Sequence, residues 1–251
     1  MKYTASLIKL FTLLSLSFTH SPIFAQSFIS EHTQVSLIEL YTSEGCSSCP
    51  PADKWLNSLK EAPGLWSTFI PIAFHVDYWD YIGWKDPFAQ SQYTQRQRQY
   101  NLQNNLSSIY TPAMILNGQE WTSWYSDDTV KPLSPIAAGR LSIELNDKLI
   151  SAQYQALTSR SLKLILNIAI VGFNLNTDVK QGENRGRILK HDFVVLSYQQ
   201  RVMTLSRDGD YISSSTPLPS MTFPAKTTAL IAWVNTEKDL SPLQATGGWI
   251  H

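Results

Sequence analysis

Residues 35–42 (VSLIELYT) form a nearly continuous apolar run that closes in a Ser-Glu-Gly turn, the pattern of a strand buried on both faces. Pro50-Pro51 follow, where a first helical turn tolerates proline, and 52–61 place Trp55, Leu56 and Leu59 on one helical face before Pro63-Gly64 ends the helix. Residues 68–76 (TFIPIAFHV) read as a second buried strand despite Pro71, so the order strand, helix, strand predicts a parallel βαβ unit. An aromatic turn spans 77–87 (DYWDYIGWKDP), and the Gln-rich, Gly- and Pro-free stretch 88–105 predicts a second helix with a broad polar face. Ala113 to Leu116, Asn117-Gly118 and the stretch 119–124 predict an antiparallel hairpin, and 127–138 a short last helix or a linker.

From Arg140 the texture changes to strand-like segments at 141–145, 149–156, 162–171, 187–198 and 229–235, separated by turn signals such as Asn146-Asp147 and Asp208-Gly209. The expected fold class is therefore α/β. A domain with a central mixed sheet flanked by helices occupies 26–138, followed by a small antiparallel β-domain over 139–251.

The first 25 residues stand apart. Lys2 and Lys9 precede a short apolar run from Leu10 to Phe18, and Pro22-Ile23-Phe24-Ala25 ends in a small residue, the pattern of a secretory signal peptide cleaved after Ala25. The run is too short to span a bilayer, which makes a retained anchor the weaker reading, and no membrane association is expected after cleavage. Export to a periplasm or beyond follows. The whole chain carries 20 basic and 20 acidic residues, and loss of the leader leaves 18 against 20. Such a chain lacks the basic footprint of a nucleic-acid binder. Its two cysteines exclude a disulfide-framework scaffold and a four-cysteine zinc site.

Those cysteines carry the strongest chemical signal. Cys46-Ser47-Ser48-Cys49 sits at a strand-to-helix junction, where unpaired N–H groups and the positive end of the helix dipole stabilise a thiolate. Cys46 is assigned as nucleophile and Cys49 as resolving thiol, able to form a redox-active disulfide with each other. An inert local disulfide and one half of a metal site are the competing readings. Zinc would need two further ligands, and the mature histidines (His32, His75, His191, His251) show no paired spacing that meets the cysteines, so neither a metal nor an organic cofactor is expected. Copper(I), held by the two thiolates with His75, remains the minority alternative.

Four further features bear on the site. Thr111-Pro112 stands immediately before an apolar strand, the position at which thioredoxin-like proteins offer a cis-proline and backbone groups to an extended substrate. Glu39, seven residues before Cys46, is a candidate acceptor for the resolving thiol's proton, alongside the plainer reading of a strand-end acid. Tyr78, Trp79, Tyr81 and Trp84 either line a substrate groove or pack the loop against a neighbour. Glu44 is expected to be a solvated turn residue, Arg96 and Arg98 a solvated helix face, and 182–187 (GENRGR) a structural loop.

The stretches 38–53 (IELYTSEGCSSCPPAD), 75–88 (HVDYWDYIGWKDPF), Tyr110-Thr111-Pro112 and 182–187 resemble a family of secreted bacterial proteins catalogued as domain of unknown function 1223. That resemblance implies a thioredoxin-like fold and places Cys46, Cys49 and Pro112 in a redox-type site. The family carries no assigned activity, and Ser-Ser between the cysteines departs from familiar thioredoxins. Together these readings lead us to expect an exported thiol–disulfide oxidoreductase acting on exported protein thiols or disulfides with a separate redox partner. A copper(I) chaperone and a binding module with a structural disulfide are the alternatives.

Overall fold

A computed structural model describes residues 25–126, 136–158 and 162–250. The expected leader and most of the 127–138 segment lie outside these residues. In chain order the strands and helices are β1 (Gln26–Ile29), β2 (Ser36–Thr42), α1 (Pro50–Ser58), β3 (Phe69–His75), α2 (Ser91–Leu102), β4 (Ala113–Leu116), β5 (Gln119–Glu120), β6 (Arg140–Asn146), β7 (Leu149–Gln155), β8 (Leu164–Phe173), β9 (Leu175–Asp178), β10 (Ile188–His191), β11 (Val194–Val202), β12 (Thr204–Leu205), β13 (Tyr211–Pro217), β14 (Thr227–Thr236) and β15 (Asp239–Trp249).

The βαβ unit forms. β2 and β3 run parallel in register from Ser36↔Phe69 to Thr42↔His75, and every residue of both strands is buried, as their continuous apolar runs require. The hairpin β4–β5 pairs antiparallel against the other edge of β2. Asn117 and Gly118 both take positive φ, 49° and 85°, which a two-residue turn of this hand demands. Gly118 is also required by space, since a Cβ there would lie 2.5 Å from the Ser241 backbone.

The expected α/β architecture does not hold. The described chain is mostly strand, with two α-helices, and no helix-flanked thioredoxin-like domain stands apart from a small β-domain. One mixed sheet of eight strands runs β15-β14-β8-β11-β3-β2-β4-β5, with strands from both sides of position 138. The physical reason lies at the outer edge of β3. An apolar parallel pair with an open edge is a liability, and β11 closes that edge, parallel to β3 at Val194↔Ala73 and antiparallel to β8 along nearly its whole length.

β8 and β14 are sandwiched. Leu164, Leu166, Ile168, Leu230, Ala232 and Val234 face a second, five-stranded sheet ordered β1-β6-β7-β13-β12. The alternate residues Ala169, Val171, Phe173, Ala229, Ile231 and Trp233 join the core formed with β2 and β3. β1 pairs with β6, so the described N-terminus is stitched into the sheet built from the later sequence. The segment expected as one strand over 187–198 is two, because Phe193 adopts a positive φ of 61° and breaks it between β10 and β11.

α2 corrects a second expectation. Its Gln-rich sequence reads as mostly solvated, but Tyr93, Arg96, Gln97 and Tyr100 are buried, with Arg96 only 3% exposed. The guanidinium donates through Nε to Glu39 Oε2 (2.8 Å) and through an NH2 nitrogen to Glu39 Oε1 (2.9 Å). It lies over the rings of Phe74, Tyr100, Tyr198 and Trp233, at 5.1–5.8 Å from their centroids. A charged residue can occupy a core when it is paired and bidentate and its flat face meets aromatic rings.

Candidate functional site

The chain leaves β2 at Thr42 and makes a tight turn through Ser43, Glu44 and Gly45 before the cysteines. A Cβ on Gly45 would come within 2.9 Å of Trp79 Cβ, so glycine lets the aromatic loop close over this turn. Cys46 and Cys49 form a disulfide with their Cα atoms 5.5 Å apart. Cys49 is the N-cap of α1, with Pro50 and Pro51 in the first turn, and its carbonyl accepts from the N–H groups of Ala52 (2.9 Å) and Asp53 (3.1 Å). The pair therefore sits at the positive end of the helix, as expected. Both cysteines are buried, whereas Ser47 and Ser48 are exposed and mark the solvent side of the ring.

The Thr111–Pro112 peptide is cis. It stands beside the disulfide, with the Thr111 carbonyl oxygen 3.7 Å from Cys46 Sγ; Ser48 Oγ is 3.3 Å from the same sulfur. Trp79 reaches this segment directly, its indole N–H donating to Thr111 Oγ1 at 2.8 Å, and it stacks on the exposed ring of Tyr81. Trp84 turns the other way and donates to Glu44 Oε2 at 2.8 Å. Tyr78 is half-buried against the core, with a buried hydroxyl. The structure thus brings Cys46, Cys49, Thr111, Pro112 and Trp79 together. Tyr78 and Trp84 pack the loop.

Glu39 is placed elsewhere. Besides Arg96 it accepts from Tyr100 Oη at 2.5 Å and Tyr41 Oη at 3.1 Å, and neither cysteine is among its hydrogen-bond partners. Its two oxygens are engaged in holding α2 to β2.

Several residues with no local sign of a role shape the site. Glu44 is buried at 1% exposure, not a solvated turn residue. The loop 182–187 delivers Asn184, fully buried, whose side-chain nitrogen donates to the carbonyls of Glu44 (2.8 Å) and Cys46 (2.9 Å). Arg187 in turn donates to Asn184 Oδ1 at 2.7 Å, fixing the amide's orientation. Glu183 Oε2 accepts from the Ser47 N–H at 3.0 Å. The block resemblance over 182–187 was the available signal for this contact, since nothing in local periodicity links a loop to a turn 138 residues earlier.

Behind the disulfide lies a buried ionisable cluster of Glu44, Asp53, His75, Asp86 and His191. His75 Nδ1 is 2.7 Å from Asp86 Oδ2, which also accepts from the Glu44 N–H at 2.9 Å, while Asp86 Oδ1 accepts from the Phe88 N–H at 2.9 Å. Burial pulls the His75 pKa down, but the neighbouring Asp86, Asp53 and Glu44 carboxylates outweigh it and hold it up at about 9. Burial acts on Asp86 in the opposite sense, and the His75 charge and the N–H bonds overcome it to hold Asp86 below the usual carboxylate range. For Asp53 burial dominates and its pKa is raised.

The sequence model of the family described as "Protein of unknown function (DUF1223)" matches residues 37–235. Among solved structures, protein AGR_C_4864 from Agrobacterium tumefaciens superposes with a TM-score of 0.53 at 20% identity, covering 86% of this chain and 94% of that one. HBP35 of Porphyromonas gingivalis superposes with a TM-score of 0.58 at 13% identity, covering 87% of this chain and 76% of that one. At such identities the likeness concerns the fold alone. No functionally curated protein matches. A family match across most of the chain, including the cysteine pair and the Asn184 loop, places this protein in the DUF1223 family.

Proposed function

We propose that this protein is an exported thiol–disulfide oxidoreductase whose reacting groups are Cys46 and Cys49. The observation that carries the reading is the placement of the pair at the start of α1, with Ser47 and Ser48 open to solvent and the Thr111 carbonyl 3.7 Å from Cys46 Sγ. A helix N-terminus favours a thiolate on the cysteine nearest solvent. Backbone beside the sulfur gives an extended substrate a place to hydrogen-bond.

In the reducing direction the Cys46 thiolate attacks one sulfur of a substrate disulfide. That bond breaks, one substrate thiolate leaves, and a mixed disulfide joins Cys46 to the substrate. Cys49, after losing its proton, attacks the Cys46 sulfur, which releases the second substrate thiolate and restores the Cys46–Cys49 bond. The substrate gains two electrons and the pair loses them; the same steps reversed oxidise a substrate dithiol. Its substrates are exported proteins with thiols or disulfides, and a second redox protein resets the pair. Trp79, held against Thr111, supplies an apolar wall beside the reacting sulfur.

Trapping tests the reading. Cys49→Ser, expressed with its leader, is expected to accumulate reducible mixed disulfides through Cys46, and Cys46→Ser/Cys49→Ser none. A Cys49→Ser protein that stays wholly monomeric and unconjugated contradicts it.

A further inference from the structure

We propose that Asp53, His75 and His191 form a binding site for one divalent first-row transition metal ion, zinc being the ion that fits their donor set best. The three residues are distant in sequence, on α1, β3 and β10, yet one ligand atom from each lies within 4.8 Å of the others, and all three are buried. Two imidazoles and a carboxylate, with a fourth position for water, is the donor set of open zinc sites. At metal–ligand bonds of about 2.0–2.2 Å the three groups need to close by about an ångström.

Three observations support the site independently of that clustering. First, two of the three donor groups are oriented from behind by hydrogen bonds. His75 turns Nδ1 to Asp86 Oδ2 at 2.7 Å, which leaves Nε2 buried with no hydrogen-bond partner. His191 has Nε2 3.2 Å from Glu44 Oε1, too poorly aligned to count as a hydrogen bond, while its Nδ1 faces Asp53 Oδ1 at 4.0 Å. Asp53 accepts from Thr42 Oγ1 at 3.1 Å through Oδ2, and Glu44 is itself held by the Trp84 indole. His75 thus gives one nitrogen to a carboxylate and keeps the other for a metal, the arrangement that fixes the tautomer of metal-bound histidine, while His191 has a carboxylate near each nitrogen.

Second, the charge does not balance. Glu44, Asp53 and Asp86 are three buried carboxylates, and among the described residues the basic groups that face them are the imidazoles of His75 and His191, with no lysine or arginine. Burying such a set is costly unless cations accompany it. A divalent ion offsets two of the three negative charges with both imidazoles unprotonated, as ligands must be. Third, a surface cleft of about 350 Å³ is lined by Asp53 and His191 with Pro50, Asn57 and Lys190, which provides an entry path.

The metal would tie α1, one turn after Cys49, to β3 and to β10, and so anchor the cysteine segment to the sheet. It is distinct from a thiolate copper site, because no sulfur takes part. Local pattern does not show it, because the histidines are 116 positions apart, on β3 and β10, and meet only in the fold.

Calorimetric titration of chelator-treated mature protein with Zn²⁺ alone, together with the visible spectrum of the Co²⁺-loaded protein, tests the proposal. One equivalent is expected to bind, with Co²⁺ bands of nitrogen and oxygen ligation and no thiolate charge-transfer band, and Cys46→Ser/Cys49→Ser should bind equally. His75→Ala or Asp53→Asn should lose at least 100-fold in affinity, and Asp86→Asn about 10–100-fold. Failure of folded wild-type protein to bind either ion overturns the proposal, as does binding that vanishes in the double cysteine variant. Wild-type spectra keep the test decisive even if a variant fails to fold, and none of these outcomes bears on mixed-disulfide trapping.

Discussion

The Asn184 side-chain nitrogen lies 2.9 Å from the Cys46 carbonyl oxygen, a contact across 138 residues that fastens the turn before the cysteines to the 182–187 loop. The same nitrogen holds the Glu44 carbonyl, so one buried amide fixes the backbone on both sides of Gly45.

Asn184→Ala removes that amide and leaves two buried carbonyls and the Arg187 guanidinium without their partner. Stability should fall by about 1–3 kcal/mol, the cost of unsatisfied buried polar groups. The cysteine turn should also loosen, so reduction of the disulfide by dithiothreitol should be faster than in wild type. Chemical denaturation and stopped-flow reduction check the two effects separately. Asn184→Ala with wild-type stability and reduction rate would remove the clamp from the account.

Arg96→Met should destabilise far more. It strands the Glu39 carboxylate in the core beside Tyr41 and Tyr100, and losing one partner of a buried ion pair costs about 3–5 kcal/mol. Glu39→Leu/Arg96→Met should recover much of that loss, because no uncompensated charge remains. If Glu39 serves only to hold α2, Glu39→Gln should slow thiol exchange no more than its loss of stability explains, which insulin-reduction kinetics on folded protein would show.

The legibility of this chain was uneven for identifiable reasons. Strands β2 and β3, helix α1 and the Asn117-Gly118 hairpin follow from local patterns, and each formed within a few residues of its expected bounds. The cysteine pair stands at a helix start where its motif put it, and Thr111-Pro112 stands just before β4; that its peptide is cis is a finding of the fold and was not legible in the sequence. What local pattern could not show was long-range. β11 crosses back to pair with β3, and β1 joins a sheet made of later strands, so the division into a helix-flanked domain and a β-domain dissolved into shared sheets. Arg96 looked solvated because its partner, Glu39, is 57 residues away, and the burial of Glu44 depends on Trp84 and His191.

Glu120 gives a pH-dependent test. Burial tends to raise its pKa, but donation from Tyr110 Oη (2.6 Å), Ser107 Oγ (2.9 Å) and the Ser107 N–H (3.0 Å) outweighs this and lowers it from 4.5. A carboxylate with a depressed folded pKa contributes stability that is present above its unfolded pKa and lost as pH falls through the folded one. Glu120→Gln should therefore melt below wild type at pH 7, and the difference should shrink once the pH falls under 4.5. Differential scanning calorimetry at pH 7, 5 and 3 reads this; a difference that does not change with pH would mean that the charge of Glu120 is irrelevant.

The central claim, that Cys46 and Cys49 exchange electrons with other thiols, is tested most directly by the reduction potential of the pair. Protein equilibrated in a series of reduced and oxidised glutathione buffers, quenched with acid and alkylated, gives the fraction in the disulfide form. The account predicts a potential more positive than about −300 mV, within reach of the glutathione couple and of catalytic dithiols. A disulfide that stays oxidised to potentials below about −300 mV would be a structural staple, and would contradict it.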